Sequence, residues 1–210
     1  MTQTLKKQKH ILNKGTNCWR ISNASKVKVF YDSASYFEDL ATTIQIAEKT
    51  VFIIGWDIHS KLQLKRGMAL NRKKWKLGNL LNSAVKKNRD LNIYILSWEF
   101  AMIFLFEREL FPVYKLNWKS HKRIHFKLDS YHPLGSSQHQ KIVVIDDKVA
   151  YCGGIDLGAQ RWDTLEHRHH DSRRHDPDGS YYPPFHDMQL KVEGNAARDL
   201  GETARDRWLR

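Results

Sequence analysis

The chain predicts an α/β layered domain, and three features carry that expectation. From Lys26 onward, runs rich in β-branched and apolar residues alternate with segments of helical period. Polar turn sequences bound those runs, the clearest being Asp146-Asp147-Lys148 between two of them. No internal repeat divides the 210 residues, a length that buries a real core as one domain.

Residues 1–25 read as a polar, basic and mobile arm, and residues 26–210 as the folded domain. KVKVFYD, from Lys26 to Asp32, alternates as a strand, and Ser33 or Ser35 can cap a helix running through Lys49. VFIIGWDIHSKLQL predicts a buried strand broken or bent at Gly55. The basic stretch KRGMALNRKKWKLGN predicts a surface loop, followed by a helix from about Leu77 to Lys87. LNIYILSW is a buried strand, and AMIFLFERELFPVYKL is helical until Pro112 interrupts it. RIHFKLD alternates again, and the segment from Tyr131 to Gln138 is a loop containing Pro133 and Gly135. IVVID and KVAYC form two short strands around the Asp146 turn. Gly158 to Tyr182 is charged, histidine-rich and strand-poor, and reads as a long solvated loop of functional use. FHDMQLKVEG is a strand, and a closing helix follows with Asn195 as its expected cap.

Composition narrows the class. Lys and Arg outnumber Asp and Glu by 35 to 23, for a net charge of +12, which favours polyanionic partners such as anionic lipid surfaces or nucleic acid. Cys18 and Cys152 match no metal or redox spacing and imply no disulfide framework, as expected of a reducing, cytoplasmic compartment. The first residues lack an apolar h-region, so no secretory signal is expected. The most apolar stretch, Ile93 to Phe106, is too short for a bilayer and contains Glu99. Any contact with lipid is therefore expected to be peripheral, from the water side.

The chemistry concentrates in one stretch, SSQHQKIVVIDDKVAYCGGIDLGAQRWDT, from Ser136 to Thr164. On a regular strand, His139 and Lys141 would share a face while Gln140 points away. An imidazole beside an ammonium suits attack on an anionic phosphorus centre: the lysine holds a non-bridging oxygen, and neutral histidine serves as nucleophile or proton carrier. Two other HxK triplets act as internal controls. His59-Ser60-Lys61 has Arg66 where the acid should stand, and His125-Phe126-Lys127 has His132, so both read as ordinary strand and loop residues.

His139, Lys141 and Asp146, with Gly153-Gly154 downstream, resemble the HxKxxxxD signature of the phospholipase D superfamily. The tail GGIDL…RWDT resembles the phospholipase branch more than the short nuclease branch. NCWR, IIGWDIHS, LSWEFAMIFLFERE, LDSYHPLGSSQHQK and YPPFHDMQLKVEG extend the resemblance from about residue 15 to the end, and they look like the N-terminal catalytic half of a bacterial phospholipase D. The resemblance implies a mixed sheet with helices on both faces. It also implies a two-step displacement at phosphorus that needs no metal or other cofactor.

Carried over position by position, His139 is the expected nucleophile and Lys141 a phosphate-binding cation, with Asp146 the motif's acid, either catalytic or fixing the turn. Gly153 and Gly154 would let backbone approach the phosphate, and Asp156 stands where the nuclease-like pattern has Asn. Asp187 is the candidate to orient the His139 ring, its alternative being a strand-end acid paired with an arginine. The histidines of the long loop (His167, His169, His170 and His175, with His186 beyond) show no metal-ligand spacing, so no metal site is expected. Trp56, Trp98, Phe104 and Phe106 read as core, and Trp75, flanked by lysines, as a membrane contact.

Relatives build one active site from two such motifs, and this sequence carries one. Two arrangements follow: a fragment of a two-motif enzyme, which the phospholipase-like flanks favour, or a symmetric homodimer. The expected function is cleavage or transfer of a phosphatidyl group through a phosphohistidine. A cardiolipin-synthase-like transferase and a dimeric nuclease are the enzymatic alternatives, nucleic acid being the less favoured partner. A catalytically incomplete half-domain that binds anionic lipid or nucleic acid is the alternative of another class.

Overall fold

A computed structural model describes residues 11–67, 73–98, 120–133 and 136–210. The helix expected around Pro112, with Phe104 and Phe106, lies outside the described residues, as does the centre of the basic stretch after Gly67. The elements are β1 (Lys26–Tyr31), α1 (Ser33–Gln45), β2 (Thr50–Gly55), α2 (Leu77–Lys87), β3 (Asn92–Trp98), β4 (Ile124–Asp129), β5 (Ile142–Ile145), β6 (Val149–Gly153), β7 (Met188–Glu193) and α3 (Asn195–Leu209). The strands form one mixed sheet in the order β1-β7-β6-β5-β2-β3-β4. The pairs β2–β3 and β3–β4 are parallel, and the other four are antiparallel.

Alternation along the strands makes two cores. Val51 and Ile53 of β2 and Val143 and Ile145 of β5 face α1 and α2, while Phe52, Ile54, Ile142 and Val144 face α3. On the α3 face, Phe52, Tyr94 and His125 occupy facing register positions of β2, β3 and β4 and stack at 4.7 and 5.0 Å, with Trp208 of α3 edge-on to Tyr94. His125, one of the two control histidines, is thus part of an aromatic ladder. On the other face, Tyr151 shares a 2.7 Å hydrogen bond with Thr43 and donates to Asp39 Oδ2 at 2.6 Å. Burial pushes the Tyr151 phenol well above its ordinary value, which keeps it a donor.

The β5–β6 connection is a three-residue hairpin loop, Asp146, Asp147 and Lys148, between the paired Ile145 and Val149. Asp146 and Asp147 both have φ of 54°, as a type I′ turn demands, and Lys148 N–H closes it on Ile145 O at 3.0 Å. The Asp146 carboxylate then accepts from three successive backbone N–H groups: Glu48 (2.8 Å), Lys49 (2.7 Å) and Thr50 (2.8 Å). This explains why α1 ends at Gln45 rather than running through Lys49. Those amides turn towards one carboxylate instead of continuing the helical ladder.

Other boundaries differ in detail. Asp32, with φ of 63°, precedes α1 in place of a serine cap, and Gly194, with φ of 84°, precedes α3 in place of Asn195. The expected arm is tied down at its end: Arg20 reaches Asp199 (2.5 Å) and Glu202 (2.6 Å) of α3, and Ser25 N–H bonds Glu193 O. Trp75 is half-buried and packs against the α1–α2 core, with the Lys65 ammonium 4.3 Å from its ring centroid. Both cysteines are free thiols, and among the described residues no helix is long and apolar enough to cross a membrane.

Asp146→Ala removes a charged acceptor from three amides. It is expected to lower stability by about 1–3 kcal/mol in urea denaturation, while leaving the mixed sheet intact by circular dichroism.

Candidate active site

The strand registers bring distant segments to one edge of the sheet. Tyr31 lies opposite Met188, Gly153 opposite Gln189, Cys152 opposite Ile142, Ile142 opposite Ile54, Gly55 beside Ser97 and Trp98 beside Asp129. The carboxyl ends of β1, β2, β3, β4 and β6 therefore meet the amino ends of β5 and β7. Open α/β sheets place ligand sites outside the carboxyl ends of their strands.

At this edge Lys141 and Asp156 form a buried ion pair, Nζ to Oδ2 at 3.0 Å, with side chains 6% and 3% exposed. Asp156 Oδ1 also accepts from the backbone N–H of Trp56 (2.9 Å) and Asp57 (3.4 Å). Lys141 Nζ donates a second bond, to the His139 carbonyl at 3.2 Å. An ammonium has three N–H donors, so one remains uncommitted among the described residues. His139 itself is exposed, and its ring meets the Trp56 indole edge-on at 6.0 Å. Among the described residues its ring nitrogens make no hydrogen bond, so a lone pair is free for chemistry. His139 lines an open cleft of about 470 Å³ with Trp19, Gln138, Thr203, Arg207 and Arg210.

The expectation of His139 and Lys141 side by side on a regular strand needs correction. β5 begins only at Ile142, so strand alternation does not extend back to His139. Lys141 turns inward and binds the His139 main chain, and the histidine ring stays outside. Asp146 sits at the opposite end of β5, about 17 Å of extended chain from Lys141, with its carboxylate occupied by the amides before β2. That placement corrects a catalytic reading of Asp146 and fits its alternative as a turn-fixing acid.

Gly153 and Gly154 lie against protein. A Cβ on Gly153 would collide with the Gln189 side chain, and one on Gly154 with the Asp187 carboxylate. At both positions the absent Cβ permits close approach of residues 187–189. Asp187 Oδ1 accepts from Met188 N–H at 2.7 Å, and no hydrogen bond joins it to His139 among the described residues. In this structure the expected orienter instead caps the start of β7.

The segment from Gly158 to Tyr182 keeps an exposed surface, as expected, over an ordered interior. Arg174 is 1% exposed. Its guanidinium donates to Tyr182 O (3.0 Å), Asp163 Oδ1 (3.0 Å), Arg168 O (2.6 Å) and His169 O (2.8 Å). Burial opposes ionisation of Asp163, but amides of Phe185 and Thr164 together with His167 and Arg174 hold its carboxyl below the ordinary value. Hydrogen bonds from Arg173 bring Asp171 down to about 2. Among the described residues one group has metal-ligand geometry: Asp32, His167 and His186, whose ligand atoms all lie within 4.8 Å of one another.

Trp56, expected in the core, is instead a wall of the site against the His139 ring. It stacks on Trp98 at 5.7 Å, and Trp98 Nε1–H donates to His132 Nε2 at 2.9 Å. The available signal was its position immediately after the carboxyl end of a buried strand. The α3 residues Thr203, Arg207 and Arg210 gave no local signal, because a closing helix carries such residues on any solvated face.

The fold and this edge meet known proteins at one place. The phospholipase D family profile matches residues 114–210. Phospholipase D B of Dictyostelium discoideum is 28% identical over 216 residues, covering 89% of this chain and 17% of that protein. Phospholipase D zeta 2 of Arabidopsis thaliana is 28% identical, covering 89% and 20%. Phospholipase D1 of Mus musculus is 30% identical, covering 67% and 13%. The chain thus spans 20% or less of the length of these relatives. Among solved structures, the phospholipase D family member Nuc of Salmonella typhimurium superimposes with a TM-score of 0.58 at 14% identity, covering 88% of this chain and 94% of that one. Phosphatidylserine synthase of Haemophilus influenzae gives 0.61 at 13% identity, covering 88% and 37%. The chain belongs to the phospholipase D superfamily.

Lys141→Ala leaves Asp156 buried and unpaired, and is expected to cost about 3–5 kcal/mol of stability in chemical denaturation. The double variant Lys141→Met/Asp156→Leu should recover part of that loss, which a double-mutant cycle measures.

Acid titration tests the loop. The Asp171 carboxyl is depressed when folded, so its contribution is complete above the unfolded value near 4 and is lost as pH falls towards about 2. Asp171→Asn should lower stability at pH 7 and flatten the stability-versus-pH slope between about pH 4 and pH 2.

Proposed function

We propose that the chain supplies one half of a phospholipase D-type phosphodiesterase site that cleaves or transfers the phosphatidyl group of phospholipids. The observation that carries this reading is the exposed His139 ring, free of hydrogen bonds among the described residues, held by its own carbonyl to the buried Lys141–Asp156 pair. The names of the relatives, phospholipases D of slime mould, plant and mammal, support a phospholipid as substrate.

In the proposed reaction a His139 ring nitrogen attacks phosphorus. The bond from phosphorus to the head-group oxygen breaks, and that oxygen takes a proton from a second histidine. Water or an alcohol then gives its proton to that second histidine and attacks the phosphohistidine, so the P–N bond breaks and His139 is regenerated. The spare Lys141 donor suits a non-bridging oxygen, where it offsets charge in the five-coordinate transition state. The HxKxxxxD pattern occurs once in these 210 residues. The second histidine must therefore come from a second copy of the chain or from a complementary half.

Incubation with labelled phosphatidylcholine and a primary alcohol tests this directly. Phosphatidylalcohol should form with the associated protein and fall by roughly a thousandfold or more in His139→Asn. Specific activity should drop on dilution as the two halves separate. Equal turnover by His139→Asn, or activity first-order in chain across a wide dilution range, contradicts the reading.

A further inference from the structure

We propose that Asp32, His167 and His186 form a binding site for a first-row divalent transition metal of the zinc class, which clasps the long loop to the carboxyl end of β1. The three residues come from different places in the chain. Asp32 follows β1, His167 lies inside the loop, and His186 stands just before β7. No sequence spacing could reveal such a set.

The geometry converges on one carboxylate. Asp32 is 1% exposed, with His186 Nδ1 at 2.7 Å from its Oδ1 and His167 Nε2 at 3.1 Å from its Oδ2. The His167 contact is close but does not meet hydrogen-bond geometry, so Oδ2 is a buried oxygen without a hydrogen-bond donor. The two imidazoles stand perpendicular, with centroids 5.1 Å apart.

The tautomer of His167 sharpens the point. Its Nδ1 lies 3.2 Å from Asp163 Oδ2. With Nδ1 turned to that oxygen, Nε2 is the ring nitrogen left to face Asp32. Nε2 lies 3.1 Å from Asp32 Oδ2, a spacing that a proton or a metal cation between the two atoms satisfies. A carboxylate behind a histidine, with the histidine's other nitrogen turned towards the ligand position, is the outer-shell arrangement that metal-binding histidines use. Asp163 is in turn fixed by Arg174 and by the Phe185 amide.

Asp32 also sits on unusual backbone. Asp32 has φ of 63°, uncommon for a residue with a Cβ, and is held there by its N–H bond to Asp187 O at 2.9 Å. Strained backbone that aims a side chain persists where the surroundings over-determine it. Two imidazoles and one carboxylate favour zinc and its first-row neighbours over magnesium or calcium, which prefer oxygen ligands alone. Ligand bonds near 2.0–2.1 Å place tetrahedral donor atoms roughly 3.3 Å apart, so the 2.7 Å contact would open by about 0.6 Å and the 3.1 Å contact by about 0.2 Å. Three protein ligands leave a fourth position for water or an external ligand.

The test uses the full chain stripped with chelator and then titrated with Zn²⁺ alone. Wild type should retain about one equivalent of zinc through gel filtration, read by mass spectrometry of the metal, and should melt at higher temperature with zinc than without. His186, whose side chain is 65% exposed, can be replaced without disturbing the core. His186→Ala and His186→Asn should lose the retained equivalent and the thermal shift, and weaken zinc affinity in chelator competition by about a hundredfold or more. The double variant His169→Ala/His170→Ala removes adjacent loop histidines outside the cluster and should retain both. No retained zinc in wild type, or retention unchanged in both His186 variants, overturns the proposal, as does loss confined to the His169/His170 variant.

Discussion

A buried ammonium and a buried carboxylate cannot be left apart in a low-dielectric interior, and the pairing of Lys141 with Asp156 organises the functional edge of this sheet. The pair joins the residue before β5 to the turn after β6. Through the Asp156 Oδ1 contacts it also fixes Trp56 and Asp57 after β2. The His139 carbonyl completes the ammonium's shell, so the main chain of the exposed histidine is anchored while its ring is not. Anchored backbone with a free ring suits a nucleophile, because the ring needs a defined position and an unengaged lone pair.

The same hairpin controls the other end of the sheet. Asp146, at the β5–β6 turn, gathers the amides that lead into β2, while Asp156, beyond β6, gathers the amides that follow it. β2 is thus clasped at both ends by carboxylates that flank one hairpin. Each acid satisfies backbone donors that no strand or helix partner reaches. Two acids from one motif region serve positional roles at opposite edges, and only one of them lies near the histidine.

Long loops that cover a site need an internal source of order, since they lack a sheet or helix ladder. Arg174 provides it here by donating to one carboxylate and three carbonyls from within the loop and its flanks. Asp163, gripped by Arg174, passes that order to His167 and so to Asp32 at the end of β1. Charge-assisted bonds of this kind hold their geometry better than neutral ones, so the segment has a fixed interior beneath its exposed surface.

The strand and helix alternation, the hairpin at Asp146 and the motif around His139 were legible in the chain itself. Each is set by residues close in sequence, through period, turn propensity or fixed spacing. The end of α1 was not legible, because the carboxylate that stops it comes from nearly a hundred residues away. Nor was the inward turn of Lys141, which depends on where Asp156 lies once β5 and β6 pair. The assembly of Asp32, His167 and His186, and the approach of Asp187 to Gly154, likewise exist only because β1, β6 and β7 are neighbours in the sheet. Local spacing determined what chemistry the chain carries. Strand order, a product of long-range packing, decided which of those groups meet.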